Sequence, residues 1–159
     1  MPDAKKIKNS ILGQDLTEKE CKTLAQAVKT HKVAKGDILF DAGSQDDTLY
    51  ILVSGKLEVL KMLTADTSLS IDILKEGSMT GELSFLDGNP HSMRLIAKKD
   101  SEVLMLTRKE FEEMIEKHPH LTFNVMRSIL RYSHKLQRKM NAKYLEMHRM
   151  IQNQYTAQY

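Results

Sequence analysis

The sequence predicts a mainly β fold, a sandwich, roll or barrel, with flanking helices and a long C-terminal helix. Glycines separate short runs rich in Val, Ile, Leu and Thr between residues 32 and 107, and no long helical segment interrupts them. Helical hydrophobic spacing precedes this region, and after Pro119 neither Gly nor Pro occurs again. A chain of 159 residues suits one domain with a substantial core.

The first segment, residues 1–31, is predicted to be helical. Thr17 and Glu20 have the spacing of a capping box, in which the Thr17 hydroxyl accepts a free helix N–H and Glu20 reaches back to the cap. The positions that follow at helical spacing are Cys21, Leu24 and Val28. They predict a short amphipathic helix, in which Cys21, the only cysteine, is a buried structural thiol.

The middle segment, residues 32–107, is predicted to form the β domain. Six short runs have the composition of strands and are bounded by turn residues. The runs are Ile38–Phe40, Leu49–Val53, Leu57–Met62, Leu69–Leu74, Leu95–Ala97 and Val103–Leu106.

The third segment, residues 108–159, is predicted to be helical. One helix is expected from Arg108 to His118, and Pro119 suits the first turn of the next one. The apolar face of the first helix would hold Phe111, Met114 and Ile115. The second helix is long enough to project well beyond a small β domain.

Apolar residues of the long helix follow a 3-4 spacing, which predicts a coiled-coil seam with polar breaks at Ser133 and Gln137. The seam consists of Phe123, Met126, Leu130, Ser133, Gln137, Met140, Tyr144, Met147 and Ile151. A projecting helix of this kind needs a partner, and a second copy of the chain is the simplest one. We therefore expect a homodimer.

Charge is unevenly distributed along the chain. From Leu121 onward, seven basic residues and the single acid Glu146 give a formal charge of +6, so the total of +3 leaves −3 on the remainder. The basic residues are Arg127, Arg131, Lys135, Arg138, Lys139, Lys143 and Arg149. Such a run is usually a solvated helix face, and non-specific contact with nucleic-acid phosphates is the alternative.

Three stretches of the β segment resemble the cyclic nucleotide-binding domain family, which includes catabolite activator protein and the protein kinase A regulatory subunit. They are residues 35–40 with Gly43 and Asp46–Asp47, residues 49–59 around Gly55, and residues 81–92. The resemblance covers residues 12 to 140. It implies a jelly-roll-like β-roll, or double-stranded β-helix, with paired strands around a glycine turn at Gly55 and a phosphate-binding cassette over residues 81–94.

The resemblance also implies roles for the cassette residues. Gly81 lets the backbone approach the ligand, and a short helix follows it. Glu82 accepts the ribose hydroxyl, and Ser92 retains the hydroxyl that usually follows the family's arginine. The implied ligand-binding residues are Gly81, Glu82, Leu83, His91, Ser92, Met93 and Gln137. Gln137 is either a base contact or an interhelical hydrogen bond that sets the register of the seam.

His91 stands where the family carries the arginine that pairs with the phosphate. Histidine has no permanent charge, and loss of one charge-assisted hydrogen bond in a buried site costs about 1.5–3 kcal/mol. Arg94 is either a displaced substitute or, as strand alternation favours, a surface arginine. Met93 is bulky where a small residue is usual.

These observations predict a non-catalytic signalling module that binds a cyclic nucleotide, cAMP or cGMP, in a degenerate cassette and signals through its dimer helix to another protein. The alternative is a ligand-free, dimeric interaction module. The apolar runs are too short for a membrane span and no signal peptide is evident, so a cytoplasmic location is expected.

Two other classes of function are not expected. Regulators of this family carry a helix-turn-helix after the long helix, and the chain reaches Tyr159 without room for one, so specific DNA binding is not predicted. No triad, P-loop or carboxylate pair predicts an enzyme. His118 and His120 flank Pro119 without an obvious third ligand, so they are expected to be surface histidines and not metal ligands.

Overall fold

The structure is a computed structural model that describes residues 2–157, so the ends of the predicted segments 1–31 and 108–159 lie outside the described residues. The helices are α1 (Pro2–Lys8), α2 (Glu18–Ala25), α3 (Glu82–Asp87), α4 (Arg108–Glu113) and α5 (Pro119–Ala157), with a 3-10 turn at Ile11–Gln14. The strands are β1 (Lys29–Val33), β2 (Ile38–Phe40), β3 (Thr48–Met62), β4 (Ser68–Leu74), β5 (Met79–Thr80) and β6 (Arg94–Thr107).

The six strands form one antiparallel sheet, and this confirms the predicted β-roll with flanking helices. Strand order is β1-β6-β3-β4, with β2 paired to β6 and β5 paired to β3. Strands β3 and β6 pair along nearly their whole length, from Thr48 opposite Thr107 to Leu60 opposite Arg94. This long ladder is the backbone of the roll, and the shorter strands attach to its two sides.

The prediction of four short strands in β3 and β6 is wrong, because each of these strands is continuous. Leu49–Val53 and Leu57–Met62 both lie in β3, and Leu95–Ala97 and Val103–Leu106 both lie in β6. Gly55 is therefore not a turn but a bulged position within β3, with a φ of 104°. A Cβ there would lie 2.1 Å from the Ser101 hydroxyl, so the two strands approach closely where β3 bends.

The N-terminal helix begins as predicted. Glu20 N donates to Thr17 Oγ1 at 3.2 Å, and Thr17 N donates to Glu20 Oε1 at 3.0 Å, which completes the capping box. The Cys21 thiol is buried, and its burial raises its pKa. Two strands were not predicted, namely the two-residue β5, and β1, which begins at Lys29 inside the segment predicted as helical. Helix α1 and the 3-10 turn lie in that segment, but they were not predicted as separate elements.

Helix α4 is shorter than predicted. It ends at Glu113 and not at His118, and its C-cap is Met114. Ile115 is consequently 46% exposed and does not share the buried face of Phe111, because the helix has ended before that position.

Two apolar clusters fill the domain. One lies within the roll and includes Leu52, Leu57 and Val103. The other joins the roll to the helices, and α5 contributes a buried stripe to it at Leu121, Val125, Ile129 and Tyr132. Within the described part of the chain, no helix combines the length and apolar character that a membrane span requires.

Polar contacts also hold the first part of α5 in place. Asp15, whose side chain is only 3% exposed, accepts a hydrogen bond of 2.6 Å from the Ser128 hydroxyl and pairs with Arg131 at 2.7 Å. The buried apolar stripe and the contacts of Asp15 with α5 both end near Tyr132. Beyond it, α5 extends past the core and over the mouth of a cavity.

Candidate functional site

A cavity of about 540 Å³ lies between the roll, α3 with its following loop, and the distal part of α5. The roll contributes mainly apolar side chains, which include Phe40, Val59, Ile71, Leu74, Met79 and Leu95. The cassette side contributes Gly81, Glu82, Leu83, Ser84, Pro90, His91, Ser92 and Met93. The volume lies within the range of about 300–1,000 Å³ that is typical of small-molecule sites.

Backbone geometry explains the glycine at the start of α3. Gly81 is the N-cap of α3 and has a φ of 80°, a conformation that other residues rarely adopt. A Cβ at this position would lie 2.6 Å from the Thr48 carbonyl oxygen, so the chain also passes too close to β3 for any side chain. The short helix predicted after Gly81 is confirmed.

The cassette is tied to the roll by the carboxylate of Asp46. His91 Nε2 donates to Asp46 Oδ1 at 2.8 Å, and the Tyr50 hydroxyl donates to Asp46 Oδ2. The His91 ring also stacks on Phe40, with ring centroids 3.7 Å apart. Because the His91 side chain is only 4% exposed and already bonded, its position is fixed by the protein.

Tyr50 completes this buried polar group. Burial, and then the hydrogen bond to Asp46, raise the pKa of the Tyr50 hydroxyl well above its ordinary range. The phenol therefore stays protonated and remains a donor to Asp46 at physiological pH. Sequence reasoning singled out His91 but missed this partnership, because Asp46 lies 45 residues earlier in the chain.

Glu82 faces the cavity in a poorly solvated position. Burial raises the pKa of its carboxyl above the ordinary value of 4.5, and the hydrogen bond from its own backbone N–H and the nearby His91 oppose this rise. The carboxyl is thus the most perturbed acid of the cavity wall among the described residues. It can accept a hydrogen bond from a ligand hydroxyl, as the resemblance implied.

Neither arginine near the cassette provides a free charge to the cavity. Arg94 forms two hydrogen bonds with Asp41, at 2.9 and 3.0 Å, and this pairing holds the pKa of Asp41 below its usual value. Arg108 donates to the carbonyl oxygens of Phe85 and Ser84 at 2.7 and 2.9 Å, and so anchors α3 from behind. Arg94 does not line the cavity and is not a displaced substitute for the missing arginine.

Six of the seven predicted ligand-binding residues line the cavity, and Gln137 does not. Gln137 is exposed, whereas Leu136, its neighbour, lines the wall. One residue along a helix turns the side chain by about 100°, so only one of the two can face the cavity. Ligand contact by the six cassette residues stays a prediction.

The distal part of α5 forms one wall of the cavity. A ligand contact from this helix was predicted at Gln137, but other side chains of α5 form the wall. This wall comprises Tyr132, Leu136, Lys139, Met140, Lys143, Tyr144 and Met147. Spacing would have revealed it, because these positions continue the buried stripe of Val125 and Ile129 along the same helix face. Met140, Tyr144 and Met147 were predicted as seam residues, yet they also line the cavity.

The periodicity of the α-helix explains this double placement. A heptad repeat drifts by about 20° per heptad around an α-helix with 3.6 residues per turn. The first part of the seam therefore faces away from the domain, where Phe123 and Leu130 are 60% and 73% exposed. Together with Leu86 of α3, these two residues line a second cavity of about 340 Å³, which is an apolar groove on the surface of α5.

Comparison with known proteins agrees with this arrangement. A family model described as "Cyclic nucleotide-binding domain" matches residues 30–118, more than half of the chain. The chain is similar to the Anaerobic regulatory protein of Bacillus subtilis, with 29% identity over 129 residues, 79% of this chain and 54% of that protein. It thus spans about half the length of this relative.

Solved structures share the fold at low sequence identity. A cyclic nucleotide-binding domain from Methylobacillus flagellatus superimposes with a TM-score of 0.83 and 20% identity, over 89% of this chain and 82% of that one. The regulatory subunit of a cAMP-independent protein kinase A from Trypanosoma cruzi, bound to guanosine, gives a TM-score of 0.65 and 19% identity, over 87% of this chain and 50% of that one.

The raised pKa of Glu82 generates a stability prediction. Ionisation of this carboxyl is disfavoured in the folded state, so Glu82→Gln should increase the free energy of unfolding at pH 7. The gain should shrink as the pH falls from the raised pKa and vanish below about 4.5, where the carboxyl is protonated in both states. Urea unfolding at several pH values measures it.

The matched control is Glu116→Gln, which removes an exposed carboxylate that does not line the cavity. It should change the free energy of unfolding at pH 7 by less than about 0.5 kcal/mol, as is usual for a surface substitution. A Glu82→Gln variant that is less stable than wild type at pH 7 would show that the ionised carboxylate makes favourable contacts instead.

Proposed function

Because the chain belongs to the cyclic nucleotide-binding domain family, we propose that it is a regulatory module whose cavity binds a cyclic nucleotide, cAMP or cGMP. The observation that carries this proposal is the 540 Å³ cavity that Gly81, Glu82 and Ser92 line together. Glu82 accepts the ribose hydroxyl, and the apolar walls enclose the base. The module is regulatory and carries out no chemistry on the nucleotide.

The affinity of this site is expected to be modest. The side chain that replaces the phosphate-binding arginine, His91, already donates to Asp46 and is held against Phe40. The cassette itself therefore offers the phosphate no permanently charged partner, which costs about 1.5–3 kcal/mol. This corresponds to about one to two decades of affinity.

Helix α5 is proposed to carry the signal. Its distal part lines the nucleotide cavity, and its first part presents the exposed apolar groove at Phe123, Met126 and Leu130. A second copy of the chain covers this groove in the proposed homodimer. Nucleotide binding then changes the packing of α5, and another signalling protein in the cytoplasm responds to that change.

One observation favours a second candidate, a ligand-free interaction module of the same fold. His91 is hydrogen-bonded to Asp46 without any ligand, and the bulky Met93 side chain lines the cavity where a small residue is usual. On this alternative, the fold and the groove on α5 are retained and the cavity binds no nucleotide.

Titration calorimetry with cAMP, cGMP, cyclic dinucleotides and guanosine distinguishes the two candidates. We expect wild-type protein to bind cAMP or cGMP, and His91→Arg to bind it about tenfold or more tightly, because arginine can hold Asp46 and still offer donors to the phosphate. Guanosine is included because the Trypanosoma cruzi neighbour holds it.

The matched control is His31→Arg, which makes the same substitution at an exposed site outside the cavity and should leave the affinity unchanged. Absence of heat and of a thermal shift with every nucleotide would contradict the nucleotide proposal and support the ligand-free module. Binding of guanosine alone would identify the site as one for nucleosides.

The dimer is tested at Leu130, which is 73% exposed at the centre of the groove. Sedimentation equilibrium at micromolar concentration should find wild type dimeric. Leu130→Glu should weaken dimerisation roughly 100-fold, since each dimer would bury two carboxylates against apolar side chains. The matched variant Leu63→Glu, at a leucine 64% exposed outside α5, should remain dimeric, and a monomeric wild type would refute the homodimer.

A further inference from the structure

The basic side chains at and near the cavity wall are not equally available to a ligand. His91 is committed to Asp46, and the nearby Arg94 and Arg108 are committed to Asp41 and to carbonyl oxygens of α3. Lys139 and Lys143 line the cavity from α5. Among the described residues, neither lysine has an ion pair, a hydrogen bond or a ring contact.

These two lysines also repel each other. They are four residues apart on α5, so their ammonium groups lie on one face of the helix, where like charges are destabilising. Glu82 and Asp72 line the same cavity, yet no described carboxylate lies within the 4.0 Å of a salt bridge to either ammonium. The α5 wall therefore holds two uncompensated positive charges beside an apolar cavity, and a bound anion would relieve their repulsion.

We infer that Lys139 and Lys143 of α5, and not residue 91 of the cassette, supply the positive charge that pairs with the phosphate of the bound nucleotide. The inference rests on the proposed function. The His91 ring is already hydrogen-bonded to Asp46, whereas the lysines have flexible stems and free donors on the α5 wall. The phosphate then lies between the cassette and α5, where both lysines face it, and the base lies against the apolar walls of the roll.

This orientation makes α5 a specificity element. A ligand that carries a phosphate pairs with the lysines, and a nucleoside of the same base and sugar does not. The preference for the phosphate should fall with ionic strength, because exposed charges are screened by salt. If buried groups of the cassette bound the phosphate instead, this preference would depend less on the salt concentration.

Charge is removed from the protein and from the ligand in one cycle of measurements. The variants are wild type, the double variant Lys139→Gln with Lys143→Gln, and the control Lys135→Gln with Arg138→Gln, which removes two charges of the same helix outside the cavity. The ligands are cAMP and adenosine, and calorimetry is run at low and high salt. Thermal unfolding checks that each variant is folded.

Wild type should prefer cAMP to adenosine. The Lys139/Lys143 variant should bind cAMP about three- to tenfold more weakly, with unchanged affinity for adenosine and a smaller salt dependence. The control variant should keep the preference of wild type. His91→Asn should alter the affinities for both ligands by the same factor.

Three results would overturn the inference. If the Lys139/Lys143 variant keeps the full preference while His91→Asn loses it, the cassette reads the phosphate, and the proposed function stands. If wild type binds adenosine as tightly as cAMP, no group of the cavity makes a favourable contact with the phosphate. If wild type binds none of the four ligands cAMP, adenosine, cGMP and guanosine, the proposed function fails together with the inference.

Discussion

The carboxylate of Asp46 is the constraint on which the geometry of the site depends. It accepts hydrogen bonds from His91 in the cassette and from Tyr50 in β3, so a single side chain joins the loop after α3 to the long ladder of the roll. Gly81 permits the same approach from the other end of the cassette, where the backbone passes close to the Thr48 carbonyl. The cassette is therefore held in shape by the protein alone. The His91 ring nitrogen Nε2 is hydrogen-bonded before any ligand arrives, so the charge that pairs with a bound phosphate is proposed to come from elsewhere.

Helix α5 is the other determinant, because one element performs three tasks along its length. Its first turns pack on the core through Val125 and Ile129 and are clamped by Asp15. Another face of the same turns carries the exposed apolar groove, which a second copy of the chain is proposed to cover. Further along, the helix leaves the core and becomes the outer wall of the cavity, with Lys139 and Lys143 among its side chains. One continuous helix, Pro119–Ala157, connects these regions, and through it a change at the cavity wall is proposed to reach the groove.

Local signals in the sequence predicted much of this structure, and contacts between distant residues did not follow from them. The capping box at Thr17 and the glycine before α3 are local, and both are present. Gly55 was misjudged because a turn and a bulge require the same φ, and only the neighbouring Ser101, 46 residues away, distinguishes them. Strand β1 was missed because four of its five residues are exposed and it lacks an apolar alternation. The pairing of His91 with Asp46 and the cavity-facing side of α5 depend on how the chain folds back, which spacing along one segment does not specify.

The central claim is that a nucleotide occupies the cavity between the cassette and α5. Methionine methyl NMR tests it directly, because Met79 and Met93 line the roll side of this cavity and Met140 and Met147 line the α5 side, whereas Met62 and Met114 lie outside it. Saturation with cAMP or cGMP should shift the methyl signals of the first four residues and leave those of Met62 and Met114 in place. Unchanged signals from all four cavity methionines at saturating nucleotide would contradict the claim.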